Sequence, residues 1–444
     1  MAGGALSSHL LKPVISQSLP AVARGKGSFV WDTEGRRYLD GSSGAVVVSL
    51  GHGHPDVLRT LRDQAEQITY AVRSQFTNEP AERLADRLAA LAPADLDMVF
   101  LVNSGSEAVE TALKIAVQHW SELGRPEKRW AISRHGSYHG TTLGALSLSG
   151  HPVRRRHFEG LLHDFPAVPQ PNRYRCAANA TCPPCDLSCA DAFDTAIEAA
   201  GAGRVAAVVV EPVVGATGGA VVAAPGYYQR LRQICDRHDV LLVADEVMTG
   251  VGRCGHFLAM QHWDTVPDLV AMGKGLGAGY VPLAAVLARQ SVIAAIERGS
   301  GTLITGHTYS ANPLAAAVGL TVLDVTVRDG LIERSGQVGP VLGAELGDLL
   351  ESHPIVGDVR GLGMLWGLEL VADRASGRPF PRERAITERF LAVCQANGLL
   401  LYPASDGFCD AALVAPPLNT TNDELGQLMQ LLDTSLRALE AELA

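Results

Sequence analysis

The sequence predicts an α/β protein, with a large domain built on a mostly parallel sheet flanked by helices and a smaller α+β domain formed by the two chain ends. Between residues 98 and 288, short β-branched runs alternate with helical segments. These runs are apolar at nearly every position, which is typical of strands buried on both faces of a parallel sheet. After about residue 325, two amphipathic helices and short strand runs indicate a separate α+β unit.

The N-terminal region predicts a hairpin followed by helix. The segment FVWDTEGRRYLD (29–40) contains two short alternating runs around a turn-forming Asp-Thr-Glu-Gly. A long helical region is expected from Pro55 to about residue 92. As domain boundaries we predict that residues 1–55 join the small domain, that residues 56–325 form the large domain, and that residues 326–444 form the small domain.

Six apolar runs are expected to be the strands of the large domain. They are MVFLV (98–102), RWAIS (129–133), VAAVVV (205–210), DVLLVAD (239–245), PDLVAM (267–272) and LAAVLA (283–288). Between them, SEAVETALKIAVQHW (106–120) has helical periodicity, and a second helix is expected to open at Pro225, a favoured first-turn residue. In the C-terminal unit, MLWGLEL (364–370) and DAALVAP (410–416) predict strands.

Composition and charge exclude several protein classes. Hydrophobic residues make up 47% and charged residues 19% of the 444 residues, enough for a sizeable core and too little charge for disorder. A net charge of −10 argues against a nucleic-acid binder and a polybasic membrane anchor. No run reaches the roughly 18 apolar residues of a spanning helix, and the first residues lack the basic start of a secretion signal. With only eight cysteines, we expect a cytoplasmic protein.

Chemically informative residues follow the predicted strands. In open parallel sheets, ligands bind beyond the carboxyl ends of the strands. The segments found there are Asn103-Ser104-Gly105-Ser106-Glu107, Tyr138-His139-Gly140, Glu211-Pro212, Asp245-Glu246 and Gly273-Lys274-Gly275. One edge of the sheet is therefore expected to gather a turn, an aromatic residue, two acids and a lysine.

The turn before the first long helix is typical of a phosphate site. Ser104 and Glu107 fit a capping box, and Gly105 allows close approach of a ligand to the backbone. The free N–H groups at the start of the following helix could hold a phosphate. A helix cap without a ligand is the alternative interpretation.

Lys274 is the most informative single residue. The chain has five lysines, and Lys274 is the only one after residue 128. It lies in LVAMGKGLGAGY, which contains no other charge, and a buried lysine has a lowered pKa and a nucleophilic amine suited to a Schiff base. A solvated surface lysine is the alternative, whereas a P-loop is excluded because Gly275 follows the lysine.

Asp245 ends the most apolar strand and needs a partner, because burying an unpaired carboxylate is costly. A protonated pyridine nitrogen would be such a partner and would keep the ring an electron sink. The alternatives are an Asp that caps the next turn or one that pairs with Arg253. Tyr138 could stack on a ring or be an ordinary loop aromatic, and Glu211 could bond to backbone.

Six segments, taken in order, resemble the class III aminotransferases of the fold-type I pyridoxal-phosphate (PLP) superfamily. They are NSGSEAVETALK (103–114), SYHG (137–140), EPVVGATGG (211–219), ADEVMTGVGRCG (244–255), GKGLGAGYVPLAA (273–285) and HTYSANPLAAA (307–317). The similarity extends from the hairpin to APPLNTT (415–421) and is greatest to the ω-amino acid and amine aminotransferases. It implies the fold-type I architecture and PLP as cofactor.

The resemblance also implies roles for residues around the cofactor ring. Lys274 would form the Schiff base with PLP and later move a proton between the substrate and the cofactor. Asp245 would pair with the pyridinium nitrogen. Val247 would lie under one face of the ring and Tyr138 over the other.

Further implied residues surround the phosphate and the substrate. Gly105 and Ser106 would bind the phosphate, and Thr308 would reach the phosphate of a neighbouring subunit. The resemblance therefore implies a homodimer with its active sites at the subunit interface. Glu211 and His139 would support the cofactor or face the substrate.

The implied activity moves an amino group from an amine or ω-amino acid donor to a keto acid by a ping-pong mechanism. A PLP enzyme of the same fold with another outcome, such as a decarboxylating transaminase, a racemase or an aminomutase, is one alternative. Another is a metal or redox module centred on Cys176, Cys182, Cys185 and Cys189. Because a single short segment supplies all four thiols, no metal ligand is expected.

One departure from the family concerns the substrate carboxylate. Many relatives have an arginine about ten residues before the C-terminal Pro-Pro, whereas YPASDGFCDAALVAPP (402–417) has none and carries Asp406 and Asp410. Either Arg73 or one of Arg154–Arg156 takes over this role, or the donor has no carboxylate near its amine. The two acids favour the second alternative.

Overall fold

The computed structural model describes residues 9–15, 17–176, 185–405 and 409–444. Strands in these residues are β1 Val22–Lys26, β2 Phe29–Asp32, β3 Arg37–Asp40, β4 Met98–Val102, β5 Trp130–Arg134, β6 Ala167–Val168, β7 Val205–Val210, β8 Val213–Val214, β9 Val221–Val222, β10 Leu241–Asp245, β11 Leu269–Met272, β12 Ala284–Ala288, β13 Val356–Leu362, β14 Leu365–Leu370, β15 Leu399–Leu400, β16 Tyr402–Pro403 and β17 Asp410–Val414. The helices are α1 Ser43–Val46, α2 Pro55–Ala65, α3 Glu79–Leu91, α4 Gly105–Glu122, α5 Leu143–Leu148, α6 Pro152–Arg155, α7 Ser188–Ala200, α8 Tyr227–His238, α9 Gln290–Arg298, α10 Pro313–Arg328, α11 Leu331–Ser352, α12 Ile386–Ala396 and α13 Asn422–Leu443.

The central sheet of the described residues has the order β4-β12-β11-β10-β7-β5-β6. Strand β12 pairs antiparallel with both β11 and β4, and the remaining strands run in one direction. The predicted mostly parallel sheet is therefore confirmed. Because β4, β5, β7, β10 and β11 are parallel, the segments that follow them emerge at one edge of the sheet.

Burial explains why these strands are apolar throughout. Every residue of β7, β10, β11 and β12 is buried. Successive side chains of β7 enter different cores: Val208 packs with α7 and α8, whereas Val209 packs with α4. The helices thus cover both faces, as the apolar pattern predicts.

The two chain ends pack together. Strands β13, β14, β17 and β16 form a second, antiparallel sheet. Leu39 of the N-terminal hairpin shares a core with Leu346 of α11 and Leu428 of α13. Strand β15 pairs parallel with β3 through Leu399 and Leu39. The division at residues 55 and 325 remains a prediction.

Three predicted elements differ in the structure. The helical region after Pro55 is two helices separated by residues 66–78, and the side chain of Asn78 caps the second by accepting a hydrogen bond from the Ala81 N–H at 3.0 Å. Helix α8 begins at Tyr227 rather than Pro225, because Gly226 has a left-handed φ of 84°. Where the structure describes the C-terminal unit after residue 330, it has three helices instead of two. None of the described helices is long and apolar enough to cross a membrane.

Candidate active site

A cavity lies at the edge of the sheet where the parallel strands end. Eight of the nine predicted site residues line it: Gly105, Ser106, Tyr138, His139, Glu211, Asp245, Val247 and Lys274. The ninth, Thr308, is exposed on a surface loop and does not line it. Sequence reasoning missed Val213 and Met248, apolar residues of the cavity wall that have no distinguishing pattern of their own.

The start of helix α4 is directed at this cavity. The Ser104 hydroxyl accepts a hydrogen bond from the Glu107 N–H at 3.2 Å, so Ser104 caps the helix as predicted. The Glu107 carboxylate, however, accepts from the Asn103 N–H at 2.8 Å rather than from that of Ser104, so the capping box is only half formed. Because Gly105 and Ser106 line the cavity, their helix-terminal N–H groups provide an anion site.

Two glycines permit the close approach of the elements around this turn. A Cβ added at Gly105 would lie 2.7 Å from Cγ1 of Val247. One added at Gly140, which has a φ of 132°, would lie 2.5 Å from Oγ of Ser106. The helix start, the Tyr138 loop and Val247 therefore enclose one narrow space.

Asp245, buried at the end of β10, is held from both sides. Its Oδ2 lies 2.8 Å from Nδ1 of His139, and its Oδ1 accepts a hydrogen bond from the Val247 N–H at 3.1 Å. Arg253 is not its partner, because that guanidinium donates to the carbonyls of Met364 and Pro416 at 3.0 and 2.6 Å. The carboxylate thus lines the cavity with its orientation fixed.

Glu211 holds the loop that carries Tyr138. Its Oε1 accepts a hydrogen bond from the Tyr138 N–H at 3.1 Å, and its Oε2 accepts one from the Gly215 N–H at 3.0 Å. Burial raises the pKa of Glu211. This residue is therefore a backbone-bonded acid that positions the aromatic side of the cavity.

Lys274 follows β11 and has a backbone conformation that few residues other than glycine adopt. Its φ is 44°, in the left-handed region that favours glycine, and such strain concentrates at functional sites. Burial lowers the pKa of Lys274, while the negative charges of Asp245 and Glu211 oppose that shift. A larger fraction of the amine is consequently uncharged and nucleophilic at neutral pH.

Two acids and four cysteines that the sequence analysis singled out differ in their surroundings from the residues above. Asp410 accepts hydrogen bonds from the N–H and hydroxyl of Thr387 at 3.0 and 2.8 Å, so its carboxylate already has hydrogen-bond donors. Asp406 and Cys182 lie outside the described residues. The other cysteines of the cluster, Cys176, Cys185 and Cys189, are partly buried free thiols, and burial raises the pKa of Cys189 to about 11.

Comparison with known proteins identifies the family. Residues 13–436 match the model of the class III aminotransferases. An uncharacterised aminotransferase of Bacillus subtilis, YodT, is 46% identical over 442 residues, which cover 99% of each chain. An (S)-enantioselective ω-transaminase from Thermomicrobium roseum has a TM-score of 0.92 and 33% identity, with 97% of this chain and 96% of that chain covered. An amine transaminase from an uncultivated Pseudomonas species, in its PLP-bound form, has a TM-score of 0.91 and 32% identity, with 98% of each chain covered.

These matches confirm the predicted family, its fold-type I architecture and its cofactor, PLP. They also remove the interpretation of the chain as a metal or redox module on an inert scaffold, because the whole length is that of an enzyme family. The chain belongs to the class III aminotransferases, PLP-dependent enzymes that transfer an amino group between an amine donor and a keto acid.

Proposed function

We propose that this chain is an ω-amino acid or amine aminotransferase whose cofactor is attached to Lys274. The observation that carries this assignment is the meeting of Lys274, Asp245 and the start of α4 in one cavity. An amine, a carboxylate and a helix N-terminus complement the aldehyde, ring nitrogen and phosphate of PLP, respectively. The residues present therefore fit this cofactor.

Each part of the cavity has a separate binding task. Gly105 and Ser106 bind the phosphate through the start of α4. Asp245 binds the protonated ring nitrogen, and His139 keeps that carboxylate in place through the 2.8 Å contact. Val247 and Tyr138 would enclose the ring from its two faces.

Bound PLP supplies an aldehyde that condenses with amines and a ring that accepts the electron pair released when a proton leaves the substrate carbon. Nζ of Lys274 would take that proton from the substrate carbon and return it to the cofactor. Its lowered pKa suits this role, because a proton is released more easily from this amine than from an ordinary lysine. Glu211 keeps Tyr138 in place during both half-reactions.

We also propose a homodimer with its active sites at the interface. The loop segments 66–78 and 302–309 form one surface, joined by the edge-on contact of Tyr70 and Tyr309 at 6.3 Å and by a hydrogen bond from Arg73 to the Thr305 carbonyl at 3.3 Å. Large apolar side chains are exposed there, including Ile304 at 74% and Phe76 at 66%. We call this surface, made of residues 66–78 and 302–309, the apolar loop surface, and a second copy of the chain is its proposed occupant.

The proposed dimer also gives Thr308 a role. Thr308 lies on the apolar loop surface, from which it would bind the phosphate in the partner subunit.

We propose a cytoplasmic location, supported by the free buried thiols of Cys235, Cys254 and Cys394, since a reducing compartment keeps such thiols unpaired. Fractionation of the native host that placed the protein outside the cytoplasm would contradict this location.

The activity is tested with a panel of amine donors and keto-acid acceptors assayed in both half-reactions. The expected result is stoichiometric conversion of donor to carbonyl product and of acceptor to amino acid, with parallel-line ping-pong kinetics and no CO₂ release. Carbon dioxide, or loss of optical activity without amino transfer, would instead indicate one of the other outcomes of this fold.

A further inference from the structure

Two neighbouring helices bring together three side chains of the kinds that bind metal ions. Asp194 and Glu198 lie about one turn apart on helix α7, and His238 is the last residue of helix α8. One oxygen of each carboxylate and one ring nitrogen of His238 all lie within 4.8 Å of one another. These three residues do not line the cavity that contains Lys274. Two carboxylates and an imidazole therefore converge at a second place in the molecule.

The packing of the two helices fixes this arrangement. Helices α7 and α8 lie side by side and contribute apolar side chains to the same hydrophobic core. Near the start of each helix, Arg230 of α8 pairs with Asp191 of α7 at 2.6 Å. At the end of α8, His238 reaches Asp194, which follows Asp191 along α7. The two helices therefore run in the same general direction, and Glu198 lies just beyond this last contact.

Asp194 is oriented toward His238 by a second hydrogen bond. Its Oδ1 lies 2.5 Å from Nε2 of His238, and its Oδ2 accepts a hydrogen bond from Nη1 of Arg237 at 2.8 Å. The hydrogen bonds from His238 and Arg237 lower the pKa of Asp194, so this carboxylate is ionised at neutral pH. Carboxylates that bind metals are commonly oriented by an outer hydrogen bond of the kind that Arg237 donates.

Glu198 is the member of the group that ordinary pairing does not explain. Its side chain is exposed, and no described residue forms a hydrogen bond or ion pair with its carboxylate. Exposed carboxylates are common, but this one lies beside an Asp–His pair within the span of a single ion. With His238 neutral, the charges of Asp194, Glu198 and Arg237 leave an excess of negative charge that a divalent cation would offset.

We propose that Asp194, Glu198 and His238 bind a zinc ion that joins helix α7 to helix α8. Zinc accepts imidazole nitrogen together with carboxylate oxygen, whereas magnesium and calcium prefer oxygen ligands alone. Three protein ligands leave the fourth tetrahedral position for water. The ion would replace the proton shared by Asp194 and His238, and that proton would pass to solvent. The sequence does not group these residues, because 44 positions separate Asp194 from His238.

Titration calorimetry with zinc chloride on the PLP-loaded protein tests the site. The parent should bind zinc, and Glu198→Gln should raise the Kd about tenfold or more, since loss of a group that merely supports a ligand already weakens metal binding by about 10- to 100-fold. His238→Gln should have the same effect. Asp191→Asn is the matched control, because Asp191 lies on the same helix and pairs with Arg230 instead. It should bind zinc as the parent does.

The cysteines Cys176, Cys185 and Cys189 are the competing zinc ligands. X-ray absorption at the zinc edge separates the two sites, because zinc lies about 2.3 Å from thiolate sulfur and about 2.0–2.2 Å from nitrogen or oxygen. Only nitrogen and oxygen ligands are expected. Zinc should also raise the Tm of the parent more than that of Glu198→Gln, because an ion bound only by the folded state stabilises it.

Glu198→Gln should keep the transaminase activity of the parent, since Glu198 is exposed and lies outside the active-site cavity. Retained activity shows that this variant is folded, so a loss of zinc binding reports the ligand itself. Three results would overturn the inference: no zinc binding by the parent, equal zinc affinity in the parent and Glu198→Gln, or sulfur ligands around the bound zinc. None of them bears on the proposed aminotransferase function.

Discussion

Asp245 combines burial with a fixed orientation, and both suit its proposed role of binding the ring nitrogen of the cofactor. Contacts with His139 and with the Val247 N–H hold its two oxygens. The sequence predicts the acid because it ends an apolar strand. It does not predict the contact with His139, which lies 106 positions away in the chain. Only the parallel pairing of the strands brings the two side chains together.

The substitution Asp245→Asn tests this role. Without the negative charge, the ring nitrogen loses its proton and the electron pair of the substrate carbon is less stabilised. Loss of one such electrostatic contact lowers rates by about 100- to 1,000-fold, so the first half-reaction should slow by that factor while the cofactor still binds. Stopped-flow absorbance measures the rate, and Asp348→Asn, at an exposed position of α11, is the control. A rate within a few-fold of the parent would show that Asp245 is not the ring partner.

Helix α4 shows that part of the site depends on how the elements pack against each other and not only on local sequence. The cap at Ser104 and the start at Gly105 were predictable from local sequence. The need for glycine at position 105 was not predictable in this way, because it arises from the close approach of Val247, which follows a different strand. Likewise, local pattern did not predict that β12 runs antiparallel, or that residues 66–78 interrupt the helical region, because both depend on distant neighbours.

The substitution Gly105→Ala should weaken cofactor binding. The added Cβ would lie 2.7 Å from Val247, so either the helix start or the valine must move away from its place. Overpacking of this kind costs about 1–3 kcal/mol, which corresponds to an increase of about 5- to 160-fold in the Kd for PLP measured by absorbance titration. The double variant Gly105→Ala/Val247→Ala should recover part of the affinity.

The helix glycine Gly426 provides the matched control, because an added Cβ there meets nothing within 4 Å. Its alanine variant should bind PLP as the parent does. Equal PLP affinity in Gly105→Ala and the parent would disprove the tight fit at the start of α4.

At the scale of the whole molecule, one predicted site residue lies outside the active-site cavity. Thr308 is on a surface that carries exposed apolar side chains, where the proposed dimer would place it near the site of a second copy. Membership of the family was predictable because its motifs are spaced along nearly the whole chain. The substrate was not predictable, because residues 402–417 contain no arginine that could bind a substrate carboxylate.

The substitution Ile304→Glu should therefore dissociate the dimer and weaken PLP binding together. A buried charge without a partner disfavours the interface. Light scattering and absorbance titration on the same sample measure the two effects. Val341→Glu, at a 57% exposed apolar residue of helix α11, is the control and should remain dimeric. A parent protein that is monomeric and fully active would contradict the shared site.

The central claim, that Lys274 carries the cofactor, has one direct measurement. The protein loaded with PLP is reduced with borohydride, which fixes the cofactor carbon to the lysine nitrogen, and the digested peptides are mapped by mass spectrometry. Only five lysines are available: Lys12, Lys26, Lys114, Lys128 and Lys274. We expect the added mass on the peptide containing Lys274, and we expect Lys274→Ala to have neither the added mass nor the absorption band of the lysine Schiff base. Stoichiometric modification of another lysine, or full transaminase activity in Lys274→Ala, would contradict it.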